Sequence, residues 1–219
     1  MVFTLRRTRA IDYIKKLMSS GDEDGAKAGE DLFELYLKWK ETLELNDFLT
    51  FVDLIQNRWK DTIMRVLKGM PQMIGQFRAF SFEEYLVDVI RSKLKPERRG
   101  FRILWNEKLL IWRGGGREYR AALDIVLSRA EGYGEVPVVA IEAKIDVDAP
   151  RLRAVMLNFE MLRKVYPEVK TALVYLYWNA DEILKDIARM FIDELFNFTS
   201  KRHVPAFLEF VNSALSKEI

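Results

Sequence analysis

The segment that most constrains the fold of this chain is VPVVAIEAKI, residues 136–145, where an apolar run is interrupted by one acidic and one basic residue. Side chains alternate between the two faces of a β-strand, so Glu142 and Lys144 share a face with Val138 and Ala140, while the opposite face is wholly apolar. Apolar residues on both faces are typical of a central strand that is covered on both sides. A charged side chain in such a place is costly unless it is paired or bound to a metal. Glu142 and Lys144 are therefore the first candidates for a functional site.

The preceding apolar segment, AALDIVL (residues 121–127), has the same anomaly at Asp124. A polar turn over residues 131–135 predicts a hairpin that places Asp124 beside Glu142. Two carboxylates at close range repel each other unless one is protonated or a cation lies between them. A divalent metal resolves this arrangement, and Asp124, Glu142 and the carbonyl oxygen of Ala143 would supply the hard oxygen ligands that it requires.

Composition restricts the identity of this metal. The chain contains no cysteine and a single histidine, His203. Disulfides, iron–sulfur clusters, thiolate zinc sites and sites with several histidines are thereby excluded. Oxygen ligands favour Mg²⁺ or Mn²⁺. The formal net charge is only +2, so a nucleic-acid partner would depend on local clusters of basic residues.

Periodicity along the chain predicts an α/β fold, with a central mixed sheet flanked by helices and an α-helical N-terminal subdomain. The helical subdomain is expected over residues 1–76, and its clearest helix runs from Phe48 to Leu67. GMPQMIGQF interrupts the helical pattern, so a second domain is expected over residues 77–219. Its predicted elements are a helix from Phe82 to Leu94, three or so strands, a helix from Ala149 to Val165, the strand TALVYLYW, a helix from Asp181 that includes Leu195, and a last helix around Phe207.

The helix predicted from Phe82 carries two adjacent glutamates near its start. On a helical wheel Glu83 lies at the edge of the apolar arc, and Glu84 points nearly opposite. Ser81 is a candidate N-cap, and Glu84, three residues later, would complete a capping box. Glu83 is thus the inward carboxylate and a further candidate for the site. The alternative is an ordinary first-turn glutamate favoured by the helix dipole.

Asp124, seventeen intervening residues and then Glu142-Ala143-Lys144 resemble the signature of the PD-(D/E)XK nuclease superfamily. The helix SFEEYLVDVI resembles the helix that precedes the motif strands in restriction endonucleases, archaeal Holliday junction resolvases and Mrr-type nucleases. The resemblance covers roughly residues 81–195. It implies a restriction endonuclease-like core that hydrolyses phosphodiester bonds of DNA with Mg²⁺ or Mn²⁺. Leu123 stands where the motif often has proline, and the spacing is longer than in compact members, which an extended hairpin would absorb.

The resemblance also implies a role for each residue of the site. Asp124 and Glu142 would hold the metal, and Glu83 would bind a second metal or a metal-bound water. Lys144 would orient the attacking water or neutralise the charge that develops on the phosphate oxygens. DNA is the expected partner, and a homodimer is expected by analogy, since many members cut two strands as dimers.

Other interpretations remain open from the residues alone. Glu142 and Lys144 would be an ordinary ion pair if their strand lay at a solvated sheet edge, and Asp124 alone could begin a turn. The chain would then be a catalytically inactive nucleic-acid-binding or assembly protein, or a helical interaction module with an accidental strand motif. Several basic residues would either contact phosphates or form a solvated face. They are Arg91 to Arg102, Arg113, Arg117, Arg120, Arg151 and Arg153.

The remaining expectations concern the cellular setting. The first residues, MVFTLRRTR, become basic too soon for a signal peptide, and no apolar stretch approaches the roughly 20 residues that a membrane span needs. We therefore expect a cytoplasmic protein without a membrane partner. Abundant Lys, Arg and Glu, together with only three Gln, indicate a thermophilic source.

Overall fold

The computed structural model of the chain describes residues 8–68, 71–132 and 134–217. The chain forms two compact units, Met1–Asp88 and Val89–Ile219. The boundary predicted between residues 76 and 77 lies inside a helix, Pro71–Leu94, and the division falls later in that helix. The segment GMPQMIGQF does not prevent this helix, because a proline at the first helical position lacks only an N–H that would be unpaired there anyway.

The first unit is helical, which confirms the predicted helical N-terminal region. Its core is aromatic: the rings of Phe48 and Tyr85 stack at 4.5 Å, and both meet Trp39 edge to face at 5.8 and 5.9 Å. Aromatic pairs of this kind contribute about 0.5–1.5 kcal/mol beyond the burial of their surface. The helices are α1 (Ala10–Met18), α2 (Glu23–Thr42), α3 (Leu45–Asp53), α4 (Lys60–Val66) and the larger part of α5 (Pro71–Leu94).

The single helix predicted from Phe48 to Leu67 is wrong, because the structure divides it into α3 and α4. Residues Leu54–Arg58 between them form a π-helical turn, in which the N–H of Trp59 donates to the carbonyl of Leu54 at 2.9 Å. A π turn inserts one residue and leaves helical spacing intact on either side. The apolar period therefore gave no sign of the break.

The second unit contains a mixed five-stranded sheet in the order β1-β4-β5-β6-β7. The first three strands of this order pair antiparallel, whereas β5, β6 and β7 pair parallel. A separate two-stranded ribbon is formed by β2 and β3. The strands are β1 (Phe101–Trp105), β2 (Lys108–Gly114), β3 (Arg117–Ala122), β4 (Ile125–Glu131), β5 (Gly134–Val147), β6 (Lys170–Trp178) and β7 (Glu194–Asn197).

Helices cover both faces of this sheet. Helix α6 (Ala149–Val165) contributes Leu152 and Phe159 to a buried cluster with Ala140 of β5. Helix α8 (His203–Ser216) covers the opposite face, where its Phe207 meets Phe196 of β7 edge to face at 5.4 Å. The α/β class, the mixed sheet and the position of β5 as a central strand buried on both sides are thus confirmed.

The region after β6 differs from its prediction. The helix expected from Asp181 through Leu195 is a short α7 (Ile183–Ala188), and Leu195 lies in the edge strand β7. Four residues are too few for strand alternation to be recognised, and Phe191 and Leu195 also fit a helical spacing. Helix α6 and strand β6 agree with their predictions. Over the described ranges, no helix is both long and apolar enough to span a bilayer.

Candidate metal and catalytic site

The antiparallel hairpin of β4 and β5 brings Asp124 close to Glu142. Its pairing runs from Glu131 opposite Gly134 to Ile125 opposite Ile141, so Asp124 and Glu142 follow directly at the open end of the ladder. A register irregularity between Leu127 and Ser128 accommodates an extra residue in β5. The hairpin therefore absorbs the long spacing between the two carboxylates, as the sequence predicted.

Asp124 lies in a bend between β3 and β4, not within one continuous strand. Its carbonyl oxygen accepts the N–H of Asn106 at 2.8 Å. Its carboxylate accepts the N–H of Ala143 at 2.8 Å, just beyond the last residue pair of the β4–β5 ladder. Where the ladder stops, a backbone donor needs another acceptor, and the Asp124 side chain supplies it. This pairing fixes the carboxylate against β5.

Lys144 bridges the two carboxylates. Its Nζ atom lies 2.6 Å from Oδ2 of Asp124 and 2.6 Å from Oε2 of Glu142. The cluster is largely enclosed, since the side chains of Lys144, Asp124 and Glu142 are 24%, 14% and 6% exposed. One ammonium group thus faces two carboxylates, and the cluster carries an excess negative charge when all three groups are ionised.

The pKa values follow from this crowding. Burial raises the pKa of Glu142 to about 8, and the neighbouring charge of Asp124 adds to the rise, whereas Lys144 opposes it. Burial by itself lowers the pKa of Lys144, but Glu142 and Asp124 outweigh this effect and hold it above its ordinary value. Lys144 therefore stays protonated at physiological pH, and Glu142 is the group whose charge is least well compensated.

The site lies towards the carboxyl end of β5. In the parallel pairing with β6, Glu142 is in register with Leu173, and Lys144 is in register with Tyr175. Ligands of open α/β sheets generally bind outside the carboxyl ends of parallel strands. Tyr175 is a neighbour that the sequence could not indicate, because its register with Lys144 depends on the order of the strands.

The residues present fit a divalent metal. Asp124 and Glu142 provide hard oxygen atoms of the kind that Mg²⁺ and Mn²⁺ prefer. Two carboxylates face one ammonium group here, so the cluster has one more negative than positive charge when all three groups are ionised. Within residues 8–68, 71–132 and 134–217, no three His, Asp or Glu side chains converge as metal ligands. A metal here would be held by this carboxylate pair together with backbone or water oxygens.

The two glutamates of α5 behave differently from their prediction. Glu83 is buried and belongs to the first unit, so its place at the metal site stays a prediction. The interpretation of Glu84 as a capping residue is wrong. Helix α5 begins at Pro71, and Ser81 lies inside it, where its hydroxyl donates to the carbonyl of Phe77 at 2.7 Å.

Glu84 instead organises the first unit. Its carboxylate accepts hydrogen bonds from the Tyr36 hydroxyl at 2.8 Å, from Lys40 Nζ at 3.0 Å and from the Ala10 N–H at 3.2 Å. The side chain is buried, so these partners stabilise α5 against α1 and α2. The helical wheel misplaced Glu84 because residues 81–87 are all buried, and no side of this helix segment is solvated.

Several of the predicted basic residues near the sheet form ion pairs with carboxylates. The guanidinium group of Arg151 lies 2.8 Å from Asp148, the residue that caps α6. Arg102 pairs with Glu135, and Arg113 lies 2.7 Å from Glu118. These ion pairs are exposed and contribute little stability, so they remain available for other partners.

Comparison with known proteins identifies no family. No protein-family model matches the chain, and no curated protein is significantly similar to it. Among solved structures, the chain is similar to one described as the native BbvCI A2B2 tetramer at low resolution, with 16% identity over 86% of this chain and 82% of that chain. The TM-score is 0.42, and a similarity at this level carries no argument about fold or function.

Proposed function

We propose that this protein is a metal-dependent deoxyribonuclease that hydrolyses phosphodiester bonds at Asp124, Glu142 and Lys144. One observation carries the proposal: a single ammonium group lies 2.6 Å from two carboxylates in an enclosed cluster at the end of a hairpin. The same three residues form the motif that resembles the PD-(D/E)XK superfamily. The mixed sheet with helices on both faces is compatible with that resemblance.

The two carboxylates would serve as metal ligands, together with the carbonyl oxygen of Ala143. A divalent metal bound there supplies Lewis acidity, which polarises a phosphate and lowers the pKa of water. The chain contributes rigid placement, because Glu142 lies on the central strand and Asp124 is fixed by the N–H of Ala143. Metal sites generally require coordinating side chains whose orientation is fixed by hydrogen bonds.

Lys144 would act through its charge. Its raised pKa means that the ammonium group has no lone pair with which to accept a proton near neutral pH, so a role as general base is disfavoured. A protonated lysine donates hydrogen bonds, either to the attacking water or to phosphate oxygens on which charge develops. Removing one such donor typically costs on the order of 100- to 1000-fold in kcat.

Two parts of the proposal rest on the resemblance alone. Glu83 would provide a carboxylate for a second metal or for a metal-bound water. Two copies of the chain would form a homodimer to cut two strands. Both are separable from the central proposal, which requires only the three residues of the hairpin.

A cleavage assay tests the proposed function. Purified protein is mixed with branched, supercoiled and linear DNA in Mg²⁺, Mn²⁺ or EDTA, beside Lys144→Ala and the control Lys164→Ala. Lys164 is an exposed lysine on α6 of the same unit, and its Nζ lies 3.6 Å from Glu160. We expect metal-dependent cutting by wild type and the control, and a rate lower by about 100-fold or more in Lys144→Ala.

Two other results would redirect the assignment. Equal inactivity of wild type and Lys144→Ala, with DNA still bound, would identify a nucleic-acid-binding protein without catalysis. Absence of both DNA and metal binding would make the motif a coincidence.

A further inference from the structure

The ribbon of β2 and β3 leaves the sheet at the candidate site. Strands β1 and β4 are sheet neighbours, paired up to Trp105 opposite Ile125, and the next step is the hydrogen bond from Asn106 N–H to the Asp124 carbonyl. The chain between these two residues forms the ribbon. Its base is therefore attached directly to the residue whose carboxylate contacts Lys144.

The base of the ribbon is anchored in the core, which gives its tip a fixed position. Leu109, Ile111 and Leu123 are buried in the cluster that contains α6. The tip is a tight turn in which Gly115 and Gly116 both have positive φ, 55° and 72°, as the two central residues of a hairpin turn of this kind require. The ribbon is thus a short, well-defined projection beside the site.

Positive charge is concentrated on this ribbon. Residues 108–122 contain four basic side chains and one acidic side chain, although the whole chain carries only +2. Glu118 lies 2.7 Å from Arg113 and 3.7 Å from Arg120. Arg117, at the tip, is exposed and has no side-chain partner in the part of the chain that the structure describes. Tyr119 is 54% exposed.

We propose that the β2–β3 ribbon lies along the DNA duplex next to Asp124, with Arg117 and Tyr119 donating hydrogen bonds to backbone phosphates. This proposal rests on the nuclease function proposed above and assigns its substrate-positioning element. Arginine and tyrosine are common donors to phosphates, and such contacts set the register of a protein on DNA. A two-stranded ribbon is also narrow enough to enter the major groove.

The length of the ribbon limits where its contacts fall. Arg117 is five residues from Ala122 at the base of β3, which corresponds to roughly 17 Å of extended chain. The duplex rises about 3.4 Å per base pair along each strand. Contacts from the tip would therefore lie within about five base pairs of the phosphate that is cut.

A salt titration of DNA binding tests the ribbon. Binding of a labelled duplex is measured by fluorescence anisotropy in EDTA at a series of KCl concentrations, for wild type, Arg117→Ala, Arg117→Lys and Arg98→Ala. Arg98 belongs to the other basic segment, Arg91 to Arg102, so it tests whether any exposed arginine contributes equally. It is exposed, lacks a side-chain partner among the described residues and precedes β1 at the opposite end of the sheet. Each variant is also assayed for DNA cleavage in Mg²⁺.

The logarithm of the DNA association constant falls linearly with the logarithm of the salt concentration, and loss of one phosphate contact makes this slope shallower by about 0.9. The change corresponds to binding that is about eightfold weaker at 0.1 M salt. We expect this change in Arg117→Ala, substantial recovery in Arg117→Lys and wild-type behaviour in Arg98→Ala. Unchanged binding by Arg117→Ala, or an equal loss in Arg98→Ala, would overturn the role of the ribbon.

The two proposals fail separately. If wild type cuts DNA and Arg117→Ala binds and cuts equally well, the ribbon proposal falls and the nuclease stands. If wild type never cuts DNA, although its binding depends on Arg117, the nuclease falls and the phosphate contact stands.

Discussion

Replacing Lys144 by methionine should destabilise the metal-free protein, and the loss should grow with pH. The methionine retains most of the buried aliphatic volume but removes the ammonium group that lies 2.6 Å from both Asp124 and Glu142. At high pH the variant must fold with two adjacent carboxylates and no cation between them. At low pH Glu142 takes up a proton, and the two carboxyl groups then share a hydrogen bond instead of repelling each other.

The size of the effect follows from the burial of the cluster. Removing one partner of a buried ion pair typically costs about 3–5 kcal/mol, because the remaining charge loses its compensation. Glu142 is buried, and its pKa is already raised to about 8 with the lysine in place. We therefore expect a loss of about 3–5 kcal/mol at pH 9 and a clearly smaller one at pH 5.

Urea unfolding in EDTA at pH 5 and pH 9 measures the loss of stability in Lys144→Met. Hydrogen exchange of the β4–β5 hairpin then shows that the loss lies within the second unit. Lys164→Met is the matched control, because Lys164 is exposed and its ion pair with Glu160 is weak. A loss below about 1 kcal/mol that does not change with pH would show that Lys144 does not compensate the two carboxylates and that solvent already screens the cluster.

Two further predictions concern structural polar clusters. Glu84→Ala should lower the free energy of unfolding by about 1–3 kcal/mol in urea titrations, and Glu84→Gln by less, because the Tyr36 hydroxyl and the Ala10 N–H lose their acceptor, whereas Lys40 keeps Asp88 at 2.5 Å. An effect below about 0.5 kcal/mol would contradict the assigned role. Burial alone raises the pKa of Asp193, but hydrogen bonds from Thr171 and Arg163 outweigh it and hold the pKa below its usual value. A lowered carboxyl pKa stabilises the fold above the unfolded-state pKa of about 3.9 and loses that contribution as pH falls through the folded-state pKa. Wild type should therefore exceed Asp193→Asn in stability at pH 7 and approach it in acid, and a difference that persists unchanged at low pH would be inconsistent with this linkage.

The central strand was predictable because its sequence indicates burial on both faces and contains two charged residues that such burial disfavours. VVAIEAKI is apolar on both faces, which indicates a covered strand, and only a site or a compensating partner allows Glu142 and Lys144 within it. The polar turn after β4 then determined which segment pairs with β5. Asp124 was then predicted as a site residue because it is the charged residue of the apolar segment AALDIVL.

Other features depended on tertiary pairing that a local pattern does not contain. YRAALDIVL reads as one strand, but its first part pairs with β2 and its second with β1 and β5, so the chain bends at Asp124. The π turn before Trp59 and the four-residue strand β7 are too short to alter a hydrophobic period. Glu84 was misread because the wheel assumes one solvated side, whereas this part of α5 has none.

Direct measurement of metal binding tests the central claim without any choice of DNA substrate. Mn²⁺ is titrated into wild type, Glu142→Gln, Asp124→Asn and Lys144→Met, and bound ion is quantified by electron paramagnetic resonance. We expect Mn²⁺ to bind wild type and Lys144→Met, which keeps both carboxylates, and to bind the two amide variants with an affinity lower by about 100-fold or more. Equal affinity in wild type and the amide variants, or no Mn²⁺ bound by wild type, would contradict the assignment of Asp124 and Glu142 as a metal site.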